Sequence, residues 1–217
     1  GADRVIIDSC EFLDHPAYGG VQVSQVSDLQ VTSTRFAGNV IGGVAGGAGL
    51  SVVQCAGAIE FCVFERDSSQ ESAGGLYVKN SDMRVENNTF YACDGGRPSS
   101  VLLAEGFSGT FARNVIAGST GDEALRSLEP LGQDSGCNVL WDNEGGNFLG
   151  DWNPGLPDIF ADPEFCDPEL GDFTVHPSSP CLAKNSGGCG DIGAFGVGCG
   201  TVSIEGRSWG RVKSLYR

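Results

Sequence analysis

Six segments of the chain share one spacing pattern: IDSCEF (7–12), VTSTRF (31–36), IEFCVF (59–64), VENNTF (85–90), FARNVI (111–116) and SGCNVL (135–140). Each runs from an apolar residue through two variable positions to a small polar residue or cysteine. One further variable position then leads to a large apolar residue. Ser135 breaks the pattern at the start of the last segment. The closing apolar column is Phe12, Phe36, Phe64, Phe90, Ile116 and Leu140, at intervals of 24, 28, 26, 26 and 24 residues. Self-similarity at such a period marks a solenoid, a propeller or a repeat array.

The phase of the apolar positions narrows the choice. Val78, Val85 and Phe90 lie at odd intervals, so one uninterrupted strand with alternating side chains cannot point all three inward. Short strands separated by bends can. Apolar pairs also lead the units: Val21/Val23, Leu50/Val52, Leu76/Val78 and Val101/Leu103, with Leu125 opening a fifth. About 25 residues with three short strands make one turn of a parallel β-helix. Six turns stacked at the strand spacing of ~4.8 Å rise roughly 25–30 Å. Leucine-rich and helical repeats lack their consensus here, and a propeller blade needs roughly 40 residues or more. A β-sandwich is the structural rival, because short strands and turns also suit it. The registered columns favour the β-helix.

Composition agrees: 34 glycines and nine prolines punctuate short Val-, Ile-, Phe- and Thr-bearing runs. A net charge of −15 disfavours nucleic acid, whose phosphates need clustered Lys and Arg. It also disfavours an anionic polysaccharide unless cations bridge the two. No apolar run approaches the ~18–20 residues of a membrane span, and no signal-peptide pattern is present. The latter suggests a processed or truncated form. Nine cysteines point to an oxidising, extracellular or cell-surface setting. With no CxxC and only His15 and His176, a zinc site is disfavoured.

The VENNTF-type repeat and the closing stretch DIFADPEFCDPELGDFTVHPSSPCLAKNSGGCGDIGAFGVGCG (158–200) carry a family resemblance. The chain resembles right-handed parallel β-helix repeat proteins of the pectate-lyase-like superfamily, of the secreted bacterial type, over roughly residues 3–200. The expected architecture is all-β. About six coils occupy 1–145, an irregular C-terminal cap covers the last coil from 146–200, and a basic tail follows at 201–217. The resemblance implies polysaccharide lyases and glycoside hydrolases as first enzyme candidates. No catalytic stretch of either is present, and no catalytic residue is assigned. Glu65-Arg66-Asp67 and Asp82/Arg84/Glu86 pair acids with bases, but a solvated outer face explains them more simply.

The polar column, Cys10, Thr34, Cys62, Asn88, Asn114 and Asn138, reads as a structural ladder. Asparagine tolerates left-handed backbone geometry, and its amide both donates and accepts. Cys10 and Cys62 lie two coils apart, too far for a disulfide. Cys181 with Cys189, and Cys137 with Cys166 or Cys199, are the expected pairings. Asp158, Asp162, Asp167 and Asp172, with Glu164 and Glu169, form a candidate calcium cluster of hard oxygen donors, although EF-hand spacing is absent.

The chain opens inside a repeat, exposing strand edges and a core around Ile7 and Phe12. Either more chain is missing upstream or another molecule covers this end. The tail carries net +3 against −18 for the preceding 200 residues, together with Trp209, Val212 and Leu215. It could dock on an acidic body. These features lead to the expectation of a structural protein that self-associates through its ends or tail. A carbohydrate-binding or carbohydrate-cleaving module, with glycans as ligands, is the alternative.

Overall fold

The computed structural model describes residues 2–43, 46–150 and 155–200. It is an all-β solenoid of about six turns built from stacked parallel sheets. Each turn contributes a strand to up to four sheets. The leading sheet stacks Val21–Ser24, Leu50–Val53, Leu76–Lys79, Val101–Leu103, Leu125–Ser127 and Phe148–Gly150. The second stacks Val5–Asp8, Leu29–Thr32, Ala56–Glu60, Asp82–Glu86 and Thr110–Ala112. The third stacks Glu11–Leu13, Arg35–Ala37, Val63–Glu65, Thr89–Tyr91, Val115–Ala117 and Val139–Trp141. A fourth consists of two-residue strands, Val40–Ile41, Ser68–Ser69, Asp94–Gly95 and Thr120–Gly121. The solenoid therefore continues past residue 145, since Phe148–Gly150 pairs in register with Leu125–Ser127.

The repeated columns fall into register. Phe12, Phe36, Phe64, Phe90, Ile116 and Leu140 pair each with the next along the third sheet. The four phenylalanine rings stack nearly parallel, with centroid separations of 5.4, 4.8 and 4.6 Å. Ile7, Val31, Ile59, Val85 and Phe111 form the matching column of the second sheet. These columns meet the leading-sheet pairs in one continuous core.

The odd intervals have a local cause. Ser9, Ser33, Phe61, Asn87, Arg113 and Cys137 all have φ between 48° and 58°. A single left-handed residue breaks the strand alternation, so that Val85 and Asn88 both face inward although three positions apart. Asparagine tolerance of this geometry thus applies to Asn87. The ladder residue Asn88 follows the bend and points into the core. A second bend column comprises Asp14, Gly38, Arg66, Ala92, Gly118 and Asp142, and a third Gln25, Gln54, Asn80 and Gly106. Stacking leaves little room at Gly57, where a Cβ would lie 1.9 Å from the Leu29 carbonyl oxygen.

The segment expected to cap the last coil does so only at its start. Ile159 bridges to Val139 as the beginning of a further turn. Beyond it the chain folds back along the outer face of the third sheet as a strap. An antiparallel pair, Phe165–Asp167 with Asp172–Val175, anchors the strap. Val175, Cys181 and Ile192 bury the outward side chains Val115, Ala117 and Val139 in a second small core. Those outward residues are apolar, so the strap shields them from water along the flank of the rod. No helix among the described residues is long and apolar enough to cross a membrane.

Candidate functional site

The polar columns are built from one hydrogen-bond rule. After the first two bend columns the asparagines send a side-chain hydrogen to a carbonyl one coil earlier, whereas the third column is followed by the apolar Val26 and Phe107. Asn88 Nδ2 donates to Ile59 O and Asn114 Nδ2 to Val85 O, both at 2.9 Å. Thr34 Oγ1 donates to Thr32 O at 2.8 Å, with Ile7 O at 3.5 Å, and Cys62 Sγ lies 3.3 Å from Glu60 O and 3.6 Å from Val31 O. In the opposite direction, the Oδ1 of each asparagine accepts from the backbone N–H of the preceding rung. Cys62 N bonds Asn88, Asn88 N bonds Asn114 and Asn114 N bonds Asn138, each at 2.9 Å.

Asp158, grouped by sequence with the calcium candidates, is the next rung of this ladder. Its Oδ1 accepts from Asn138 N at 2.8 Å and from Asn138 Nδ2 at 3.0 Å. Asp162 accepts from Glu164 N, and Asp172 from Thr174 N. Glu169 instead meets Tyr91 and Arg66. Among the described residues no three carboxylate, histidine or cysteine side chains converge as a cation site, so Asp158, Asp162, Asp167 and Asp172 do not form the expected cluster. Asp162 and Asp172 each close a different local turn, while Asp158 serves the ladder.

A second ladder follows the second bend column and escaped the sequence pattern. Asn39 Nδ2 donates to Phe12 O at 2.9 Å, Cys93 Sγ to Phe64 O at 3.5 Å and Asn143 Nδ2 to Ile116 O at 3.1 Å. Asp67 lies between Asn39 and Cys93 and is fully buried. Three free cysteines, Cys55, Cys62 and Cys93, suit such positions, since a thiol gives the same hydrogen as an amide, more weakly. Cys10, Cys55, Cys62, Cys93 and Cys181 are all unpaired. Burial pushes the Cys62 thiol up to about 12, so it stays protonated and inert.

The disulfides differ from the expected pairings. Cys137 joins Cys189, and Cys166 joins Cys199. Cys181 remains a buried thiol, raised by desolvation to about 11. Cys137 occupies a left-handed bend, which turns its side chain outward against the strap. The Gly-rich loop closes instead through backbone and side-chain bonds, such as Asp191 Oδ1 accepting from Ala183 N at 2.8 Å.

The densest charged group lies beneath the strap. Glu65, 3% exposed, pairs with Arg66 and with Arg35 at 2.6 Å. Arg66 also reaches Glu169 at 2.8 Å, and the Tyr91 hydroxyl donates to the same carboxylate at 2.8 Å. Burial pushes the Tyr91 phenol up to about 12, aided by Glu169. The Tyr91 hydrogen bond and then Arg66 hold Glu169 below the usual carboxylate range. Glu65 and Asp67 are therefore interior groups, whereas the sequence reading placed them on a solvated face. The strap covers Glu65, and the inward position after the Arg66 bend buries Asp67 against Asn39. On the second sheet the reading holds better: Arg84 pairs with Glu60 at 3.0 Å and Arg113 with Glu86, across an open face.

Beside this group a groove of about 600 Å³ opens between the first coils and the strap. Phe61 and Phe195, 49% and 46% exposed, contribute to its lining with Val63, Phe173, Glu11 and Arg35. Ile7 and Phe12 lie half-buried at the first coil. Trp209, Val212 and Leu215 lie outside the described residues.

Comparison with known protein families, curated proteins and solved structures yields no match.

Cys137→Ser should detach the strap from the last coil while leaving the inward ladders intact. Limited proteolysis should then cut within 160–200 at least several-fold faster, with the solenoid before it surviving. Equal rates for both proteins would contradict an anchoring role for this bond.

Proposed function

We propose that the protein is a secreted or surface-located structural rod whose working surfaces are the two ends of its solenoid. It would join end to end with further copies, or act as one section of a longer, adhesin-like rod. The exposed apolar side chains of the first and last coils support this reading. Ile6 and Leu13 lie on the first coil and Leu128, Trp141, Phe148, Leu149, Leu156 and Phe160 at the last, while Tyr18, Val40, Phe61, Leu170, Phe195 and Val197 are exposed elsewhere. Between residues 62 and 127, no large apolar side chain is exposed among the described residues. Phe148 continues an inward column of the leading sheet, and Ile7 and Phe12 end two others, so each end offers core material to a partner layer.

Stacking the last coil of one copy on the first of another is a heterologous contact, which propagates rather than closes. Unpaired strand edges would add parallel pairing to the apolar contact. Disulfides support an oxidising compartment. The repeat and closing motifs, through their resemblance to the pectate-lyase-like superfamily, support a bacterial secreted origin.

Light scattering with negative-stain microscopy tests the assembly. Particles should lengthen with protein concentration, and Phe12→Asp or Phe148→Asp should shorten them several-fold. Monomers throughout the accessible concentration range would reject the reading.

The groove lined by Phe61 and Phe195 favours a second reading, a glycan-binding module. Aromatic faces beside Glu11 and Arg35 suit a sugar's apolar face and hydroxyls. On a glycan array, binding should fall about tenfold or more in the Phe61→Ala, Phe195→Ala double variant. No binding by the parent protein would dismiss this second reading.

A further inference from the structure

In the second ladder Asp67 stands among donors that it cannot match as a carboxylate, while Ser119 turns its hydroxyl to Ser100 Oγ at 2.5 Å. Asn39, Cys93 and Asn143 each supply a side-chain hydrogen to a third-sheet carbonyl one coil earlier. In all three the acceptor is the inward apolar residue of that strand: Phe12, Phe64 or Ile116. The same register places Phe36 in the corresponding position for Asp67. An ionised aspartate has no hydrogen to give.

The geometry around Asp67 separates its two oxygens. Oδ1 accepts from Asn39 N and Asn39 Nδ2, both at 2.9 Å. It therefore occupies the accepting position that Oδ1 of an asparagine fills elsewhere. Oδ2 is buried and has no hydrogen-bond partner. Gly49 makes space for it, since a Cβ there would lie 2.6 Å from this oxygen.

Among the described residues no cation compensates a charge at Oδ2. Glu65, two residues away, adds negative charge and is already engaged by Arg35 and Arg66. Arg66 turns outward to Glu169. The next rung is the neutral Cys93 thiol, raised by burial. On the other side, Asn39 separates Asp67 from His15, whose Nδ1 lies 2.9 Å from Asn39 Oδ1.

We propose that Asp67 is a built-in proton site: its carboxylic acid holds a proton on Oδ2, which donates to the Phe36 carbonyl and completes the second ladder between the second and third coils. The rod thus carries a rung that works only while protonated, and its early coils loosen as the medium becomes alkaline. The direction of the acidity shift agrees, since burial moves the Asp67 carboxyl well above the ordinary aspartate range.

In the unfolded chain Asp67 titrates near the ordinary value of ~3.9. Above that pH the folded state binds one more proton than the unfolded state. Stability therefore falls as pH rises, until Asp67 also ionises in the fold. The amide of an Asp67→Asn variant would keep both hydrogen bonds at every pH.

Thermal melts of the parent and Asp67→Asn across pH 4–9 test this, together with infrared spectra of the folded parent. The variant should gain in melting temperature over the parent progressively with pH. The gain should be small near pH 4 and reach roughly 2–4 °C or more at the alkaline end. The parent should show a protonated-carboxyl stretch at pH 7 that Asp67→Asn removes. A pH-independent difference, or a variant less stable throughout, would overturn the proposal. So would a parent spectrum at pH 7 without that band; this outcome needs no folded variant.

Discussion

The hydrogen bonds from inward post-bend asparagines to carbonyls one coil earlier hold the rest of this structure in register. A solenoid gains its stability from contacts between neighbouring turns, and each turn alone cannot bury its apolar face. The bends are where strand pairing is interrupted and backbone groups would otherwise be left dry. Asn88, Asn114 and Asn39 fill that gap with amides that both give and accept. Cys93 gives a hydrogen to the same type of acceptor, and Thr34 and Cys62 share theirs between it and a nearer carbonyl two residues back. A buried donor or acceptor without a partner costs about 1–3 kcal/mol, so the residue choice at these positions is restricted.

The same bends account for the distribution of chemistry on the surface. A left-handed residue points away from the core, and in coil after coil this creates a column free to vary: Ser33, Phe61, Asn87, Arg113 and Cys137. Three of these positions reach the strap, Arg113 through its carbonyl, which accepts from Gly193 N at 2.8 Å. Asn87 Nδ2 donates to Asp191 O at 2.7 Å, and Cys137 forms a disulfide with Cys189. Phe61, earlier in the column, is left in the open groove. The strap thus divides a uniform rod into a covered flank and an open one, and buries Glu65 in the process.

Much of the fold was legible in the sequence because register in a parallel stack repeats residue for residue. The phenylalanine column, the leading apolar pairs and the asparagines at 88, 114 and 138 all align as their spacing indicated. Consecutive asparagines concealed which one makes the bend: Asn87 and Asn88 have similar propensities, and only the inward count assigns them. The second ladder was hidden because its rungs, Asn39, Asp67, Cys93, Ser119 and Asn143, share a geometric role but no residue class. Asp158 looked like one acid among several because its role depends on stacking under Asn138. Disulfide partners and the lateral course of the strap depend on contacts between distant segments. A local pattern carries no information about such contacts, and so Cys181–Cys189, close in sequence, gave way to Cys137–Cys189.

The donor requirement is tested most directly at position 88, in the middle of the longer ladder. Thermal melts of Asn88→Cys, Asn88→Thr, Asn88→Leu and Asn88→Asp at neutral pH would rank the side chains. The account predicts that Cys and Thr retain most of the parent's stability. Leu and Asp should lose several degrees more, despite similar size, because neither supplies a hydrogen to the Ile59 carbonyl without changing its charge state. Leu melting with or above Cys and Thr would show that burial alone selects the residue, and would contradict the rule.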